Sequence, residues 1–325
     1  MMSNLPIRKK ISVLVITYNH EKYLKEALEG ILSQQVEADL EIIISDDNSS
    51  DSTLSIAQNY QQKYPGLITI LTSSLQSGHT HNYERAWKQA TGDYIAHCDG
   101  DDYWTSSKKL SQQLAFLEEN LDFSACAHKM WAICDEDQFK HGPIPRTDQT
   151  VFTTEHLVEA CFPHNSTLLF RNRLFTILPQ YFHELTGHDW CIDFLNSLHG
   201  PIKIFPEVMG VWRMRSNGLW GGRQSTFHLQ HGIHFLNCIK DSVPPYAIKA
   251  HRRSLLNHWF RLTLEYLNLG EFKKAEQALT QALFIESFLS LPLRQFVSAI
   301  AQIKSPALYR ALKMLRNQML GAPRA

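Results

Sequence analysis

The chain has 325 residues, 44% of them hydrophobic and 20% charged, which excludes a mainly disordered or fibrous protein and suffices to bury a sizeable core. Lysine plus arginine and aspartate plus glutamate each total 32, so the formal net charge is zero and no nucleic-acid partner is expected. No stretch approaches the ~20 apolar residues of a membrane span, so a cytoplasmic protein, at most peripheral to a membrane, is expected. The cysteines Cys98, Cys126, Cys134, Cys161, Cys191 and Cys238 contain no Cys-x-x-Cys pair, and settings such as Ala125-Cys126-Ala127 predict free thiols in a reducing compartment.

In chain order, residues 11–16 read as a first strand, ending in Thr17-Tyr18-Asn19. Leu24, Ala27, Leu28, Ile31 and Leu32 recur at helical spacing and predict a helix over 21–32. The Ile-rich run 41–45 predicts a strand buried on both faces. Its polar continuation, Asp46-Asp47-Asn48-Ser49-Ser50-Asp51, predicts a turn and cap leading into a helix over 53–60. A third strand is expected at 68–71, a third helix at 81–90, and a fourth strand at 94–98 that closes in Asp99-Gly100-Asp101-Asp102. Such alternation predicts a mostly parallel sheet covered by helices.

From about 105 to 220 the pattern is less regular, with helices expected at 109–119 and 190–198 and strands at 166–171 and 202–205. Beyond about 230 the reading is all helix. Tyr266-Leu267-Asn268-Leu269-Gly270, Phe272, Ala275 and Ala282-Leu283 resemble one tetratricopeptide hairpin, too little for a solenoid, which needs about three units. The expected division is an α/β domain over 1–225 and an all-α region over 226–325.

Ligands of open α/β sheets sit beyond the carboxyl ends of the strands, and three polar clusters fall there: Thr17-Tyr18-Asn19, Asp46-Asp47 and Asp99 to Asp102. Any one alone reads equally well as a turn or helix cap. No GxGxxG or GxxxxGK[ST] loop follows the first strand, which argues against NAD chemistry and P-loop phosphoryl transfer. Nucleotide phosphates bound here would need another counter-charge, and a divalent metal on carboxylates supplies one. At an extended strand end Asp99 and Asp101 would face the same side and share a Mg2+ or Mn2+ ion, with Gly100 leaving room for a ligand between them. The 16 histidines are scattered without an HExxH pattern, so no zinc site is expected.

Thr17-Tyr18-Asn19, the run from Glu41 to Asp51, Ala90-Thr91-Gly92-Asp93-Tyr94-Ile95 and Asp99-Gly100-Asp101-Asp102-Tyr103-Trp104, in that order, resemble the successive motifs of glycosyltransferase family 2. The resemblance implies a GT-A fold and inverting transfer from a nucleotide-diphosphate sugar, a UDP-sugar by family preference, with Mn2+ or Mg2+. It implies that Thr17, Tyr18 and Asn19 line the nucleotide pocket and that one of Asp46 and Asp47 reads the base. Asp99 and Asp101 become the metal pair, Asp101 on the ion and Asp99 nearer the ribose.

The family places its general base at the head of a later helix, and Gly187-His188-Asp189-Trp190 is the matching stretch. Asp189 is therefore the expected base, with Asp193 one turn on as the second candidate; a simple helix cap is the competing role for Asp189. The implied acceptor is a hydroxyl of a bacterial-type polysaccharide, lipid-linked glycan or glycoprotein. Its specificity is expected within about 125–185, including His164-Asn165-Ser166-Thr167.

Three positions depart from the family pattern. Ser77 stands where an asparagine often precedes Gly78, and His81-Asn82 replaces the usual Arg-Asn. Arg85, one turn further, is then the candidate cation for the diphosphate. Val211-Trp212-Arg213-Met214-Arg215 matches a segment that usually reads Tyr-Arg-x-His, with Arg215 in the histidine position. A guanidinium cannot ligate a metal, so Arg215 is assigned a forked contact to the leaving diphosphate.

Leu308, Leu312, Leu315 and Met319 share a helical face beside Arg310, Lys313 and Arg316, suited to an anionic membrane or to docking on the preceding hairpin. The helical region is also the expected place for a homo-oligomer contact. Two other readings are a catalytically inactive nucleotide-binding protein acting through that region, and a nucleotidyltransferase. The second is disfavoured because no glycine-rich basic loop follows the first strand.

Overall fold

The structure, a computed structural model, describes residues 8–134, 139–160, 163–285 and 293–305. The chain divides into two compact units, Met1–Gly222 and Arg223–Ala325. Cys161 and the amphipathic run 308–319 lie outside the described residues. Among the described residues no helix is long and apolar enough to cross a membrane.

The first unit opens with β1 (Lys10–Thr17), α1 (Leu24–Leu32), β2 (Asp39–Asp46), α2 (Thr53–Lys63), β3 (Ile68–Thr72), α3 (His79–Gln89) and β4 (Tyr94–Asp99). It continues with β5 (Tyr103–Trp104), α4 (Lys109–Glu119), β6 (Ala125–Cys134), β7 (Lys140–Ile144), β8 (Val151–Phe152) and α5 (Thr154–Leu157). It closes with β9 (Leu169–Arg171), α6 (Asp189–Ser197) and β10 (Ile202–Met214). One mixed sheet runs β3-β2-β1-β4-β9-β6-β10-β5, with β7 added on β6 and β8 on β10.

β1 is buried from Ile11 to Thr17, as a strand covered on both faces requires. Helix α1 turns Leu24, Ala27, Leu28 and Ile31 onto it, all fully buried. These join Ile42, Ile44, Ile68, Tyr94 and Ala96 in the core. Because β1, β2 and β4 are parallel, their polar ends reach the same rim: Thr17 pairs in register with Asp46, and Ile16 with Asp99.

The middle of the unit holds the largest differences from the sequence reading. β10 runs well past the expected 205, because Pro206 and Glu207 interrupt its alternation without ending it. The ladder to β6 shifts register between Phe205 and Val208 and again before Gly210, then resumes. β6, read from sequence only as a thiol environment, is its parallel partner. Ser166 does not join β9: residues Asn165–Thr167 form a 3-10 turn in which Thr167 Oγ1 donates to the His164 carbonyl at 2.6 Å. Cys98, Cys126 and Cys191 are buried and outside any disulfide.

The second unit comprises α7 (Ser225–Ile239), α8 (Ile248–Asn268), α9 (Phe272–Ile285) and α10 (Leu293–Lys304). α8 and α9 form the expected hairpin, turning at Gly270 with φ +76°, and small Ala275, Ala278 and Ala282 let α9 approach closely.

Candidate active site

Thr17, at the end of β1, is 1% exposed and its Oγ1 has no hydrogen-bond partner among the described residues, whereas Tyr18 beside it is 38% exposed. Asn19 adopts φ +53° and ties the β1 end to the turn after β2: its N–H donates to Ser49 Oγ at 2.9 Å and its Oδ1 accepts from Ser50 N–H at 2.9 Å.

Asp46 and Asp47 are both buried and differently engaged. Asp46 Oδ2 accepts from Ser49 N–H at 2.9 Å. Asp47 accepts from Ser77 N–H at 2.9 Å, Ser77 Oγ at 2.7 Å and Gly78 N–H at 2.8 Å, so the departure from asparagine at 77 is where this carboxylate holds the next loop. Arg85 does not stand free for a diphosphate through Nε and Nη2. These donate to Ser45 Oγ at 3.0 Å and to the Asp46 carbonyl at 2.8 Å, bracing the end of β2 from below.

The Asp99–Asp102 segment corrects two expectations. It is a turn rather than an extended end, closed by Asp102 N–H donating to the Asp99 carbonyl at 3.0 Å, so the alternation that would align Asp99 with Asp101 is lost. Gly100 leaves no room for a ligand either. A Cβ there would lie 2.8 Å from His20 Nδ1 and 3.0 Å from Thr17, so those side chains fill the space.

Each carboxylate of the turn has its own partners. Asp99 Oδ1 bonds His97 Nε2 at 2.9 Å, and its N–H donates to Ser166 Oγ at 3.1 Å. Burial pushes the Asp99 carboxyl up, but the charge and hydrogen bond of His97 prevail and hold it well below the usual carboxylate range. Asp102 accepts from Ser166 Oγ at 2.6 Å and from Arg213 N–H at 3.0 Å; burial, with Asp101 and Asp99 adding to it, pushes its carboxyl well up. Ser166 thus belongs to the floor of the site. With Asn165 and Thr167 it is at most 2% exposed, so this stretch is no acceptor-facing surface.

Asp101 Oδ2 accepts from Arg215 Nε at 2.8 Å and from Nη2 at 2.6 Å. His20 Nε2 lies 3.6 Å from the same oxygen and 3.0 Å from Arg215 Nη2. Arg213 donates Nη1 to the Asp101 carbonyl at 2.7 Å, pairs with Glu26, and lies over the Tyr103 ring at 4.5 Å. A resident Mg2+ or Mn2+ would need several oxygen ligands converging from this turn. Here one Asp101 oxygen is taken by a guanidinium and one Asp99 oxygen by an imidazole. Among the described residues neither aspartate belongs to a group of three His, Cys, Asp or Glu ligand atoms within 4.8 Å of one another. The donor set as it stands does not fit a divalent ion.

Asp189 heads α6 with its side chain 19% exposed, and its Oδ1 lies 3.9 Å from His188 Nδ1. Asp193, one turn below, is 1% exposed and cannot meet an acceptor; burial, then the Asp189 charge, pushes its carboxyl well up. His188 is fully buried and sandwiched between the rings of Tyr83 at 3.9 Å and His79 at 4.6 Å, with Nε2 2.6 Å from Asn165 Nδ2. Its ring packs at a tilt 5.2 Å from that of His97, the partner of Asp99.

The fold therefore gathers histidines that are scattered in sequence, and ligand atoms of His79, His188 and Asp189 lie within 4.8 Å of one another. The His79 and His188 rings stack at 27°, so their in-plane lone pairs run side by side instead of meeting at one point. Stacking accounts for the group. His20 and His97 were not singled out from sequence, and Ser166, His188 and Arg213 entered there only as members of longer stretches, since nothing in their spacing marks the roles they take.

Residues 12–175 match the model of the family described as glycosyl transferase family 2. The uncharacterized protein Rv1520 of Mycobacterium tuberculosis is 32% identical over 218 residues, 65% of this chain and only 60% of that relative's length. Staphylococcus aureus TarS 1-349, solved with UDP, superposes with a TM-score of 0.64 at 19% identity, covering 97% of this chain and 93% of that one. The mannosyltransferase PcManGT of Pyrobaculum calidifontis, solved with GDP-Man and Mn2+, superposes with a TM-score of 0.59 at 19% identity, covering 97% and 86%. The fold is thus the GT-A fold with a helical C-terminal region, and the chain belongs to glycosyl transferase family 2.

Proposed function

We propose that this chain transfers a sugar from a nucleoside-diphosphate donor to an acceptor hydroxyl, inverting the anomeric carbon with Asp189 as general base. The observation that carries the reading is the part-exposed Asp189 carboxylate at the head of α6, 3.9 Å from His188, whose ring packs 5.2 Å from that of His97, the hydrogen-bond partner of Asp99 at the end of β4. The acceptor oxygen bonds to the anomeric carbon and gives its proton to Asp189. The bond from that carbon to the diphosphate oxygen breaks, and the departing diphosphate keeps the electron pair. No covalent enzyme intermediate is needed.

Thr17, Tyr18, Asn19 and Asp46 form the donor pocket, with Asp47 shaping its loop and Arg85 bracing it. Arg215 stands beside the leaving diphosphate, where negative charge grows in the transition state. The UDP of TarS and the GDP-Man of PcManGT support a nucleotide-sugar donor, and a UDP-sugar is the first to test. The Mn2+ of PcManGT raises a divalent ion for this chain also. Its Asp99–Asp101 turn already carries a counter-charge in Arg215, so no step is assigned to a metal. The acceptor class that follows from the family is a surface polysaccharide, lipid-linked glycan or glycoprotein.

The test is a thermal-shift panel of UDP, GDP, CDP and dTDP, followed by product analysis with sugars of the responding nucleotide. Release of nucleoside diphosphate with a transferred sugar is expected. Pyrophosphate release would indicate a nucleotidyltransferase, and silence with every nucleotide would indicate an inactive protein acting through its helical unit.

A further inference from the structure

We infer that the Arg215 guanidinium fills the cation position against Asp101, so that this protein binds the diphosphate of its donor without a divalent metal. The inference rests on the nucleotide-sugar reading above and deepens it.

A divalent ion at a pair of strand-end aspartates offsets their charge against the diphosphate. Here that offset is built from protein. Arg215 brings both Nε and Nη2 to one Asp101 oxygen, a charge-assisted contact with both side chains largely out of water, 12% and 17% exposed. Arginine keeps its charge at any working pH and has no lone pair for a metal, so it acts as the cation and cannot act as a ligand. Its Nη1 enters neither bond to Asp101 and retains donors for a phosphate oxygen.

The pair is also held in place from several directions. Because arginine only donates, His20 Nε2 accepts from Nη2 at 3.0 Å. Tyr23 lies 5.2 Å from the guanidinium carbon. Gly218 N–H donates to the Arg215 carbonyl at 3.0 Å, and Arg213 pins the preceding strand residues to Asp101 and Asp102. A metal entering here would have to displace a guanidinium from Oδ2 or sit beside its charge, and both oppose binding.

The experiment uses the full chain stripped of metal with EDTA, titrated calorimetrically with UDP, GDP, CDP and dTDP, with and without added Mn2+ or Mg2+. The nucleotide that binds is expected to do so with an affinity within about twofold in the two conditions. Arg215→Ala should weaken it by roughly tenfold or more, the loss of one or two charge-assisted hydrogen bonds. Arg215→His, which restores a metal-ligating side chain, should bind only when Mn2+ is present.

Wild-type binding that vanishes in chelator and returns with Mn2+ or Mg2+ would overturn the inference and leave the transferase reading intact. So would an Arg215→Ala variant with wild-type affinity. If no nucleotide binds with or without metal, the donor reading itself fails and takes this inference with it. The wild-type comparison decides the question even where a variant does not fold.

Discussion

The carbonyl oxygen of Arg215 lies 1.5 Å from the point that a Cβ on Gly221 would occupy. The loop that follows β10 therefore folds back onto the backbone of Arg215 in a way only glycine permits, since a real Cβ would collide with main chain that cannot rotate aside. Gly221→Ala is expected to open this loop at a cost of about 1–3 kcal/mol and to release Arg215 from Asp101. Thermal melts together with nucleotide titration check this: affinity should fall along with stability. Unchanged affinity would show that the loop does not set the position of Arg215.

Asp189 and Asp193 sit one turn apart on α6 with opposite prospects, because one reaches solvent and the other is 1% exposed. Asp189→Asn should lower kcat by roughly 10²–10⁴-fold, the usual contribution of a positioned base, while donor affinity stays within about twofold. Asp193→Asn replaces a carboxyl that burial already favours in its uncharged form and should keep turnover near wild type. Steady-state kinetics on the two variants separates the roles, and the reverse pattern would move the base to Asp193.

Lys109 is fully buried, with Nζ 3.9 Å from the Trp104 ring centroid, and burial pulls its pKa down to about 7. The folded value lies below the ordinary 10.5, so between about 7 and 10.5 the unfolded chain holds a proton that the native chain has lost. Stability from this group therefore rises with pH across that window, and below about pH 7 the full cost of burying the charge applies. Lys109→Met should stabilise the fold most at pH 6, by up to a few kcal/mol, on the order of the shift converted to free energy, and progressively less toward pH 10, as thermal melts across that range would show. A gain independent of pH would show that the ammonium is not the source of the cost.

The β1–α1–β2 alternation and the rim of Thr17, Asp46 and Asp99 were legible because the signals are local. Buried parallel strands need continuous apolar runs, and each run ends where polar residues begin. The position of Asp189 at the head of α6 was expected by a different route, from its place in a family pattern. Ser166 and Arg213 were not, because each acts through a partner far away in sequence. Ser166 Oγ reaches Asp102 and Arg213 N–H reaches the same carboxylate, and no periodicity encodes such a meeting.

The aspartates after β4 show where the two kinds of information part. Sequence alone determined that acidic residues would crowd one rim of a parallel sheet, and the family resemblance added that Arg215 stands where a histidine is usual. Only the tertiary structure decided what those acids hold. A turn at Gly100 separates Asp99 from Asp101, and β10 crosses back through a register shift to lay Arg215 on Asp101. Strand signals arise from neighbours along the chain, whereas the pairing of a buried charge depends on whichever counter-charge the fold carries to it.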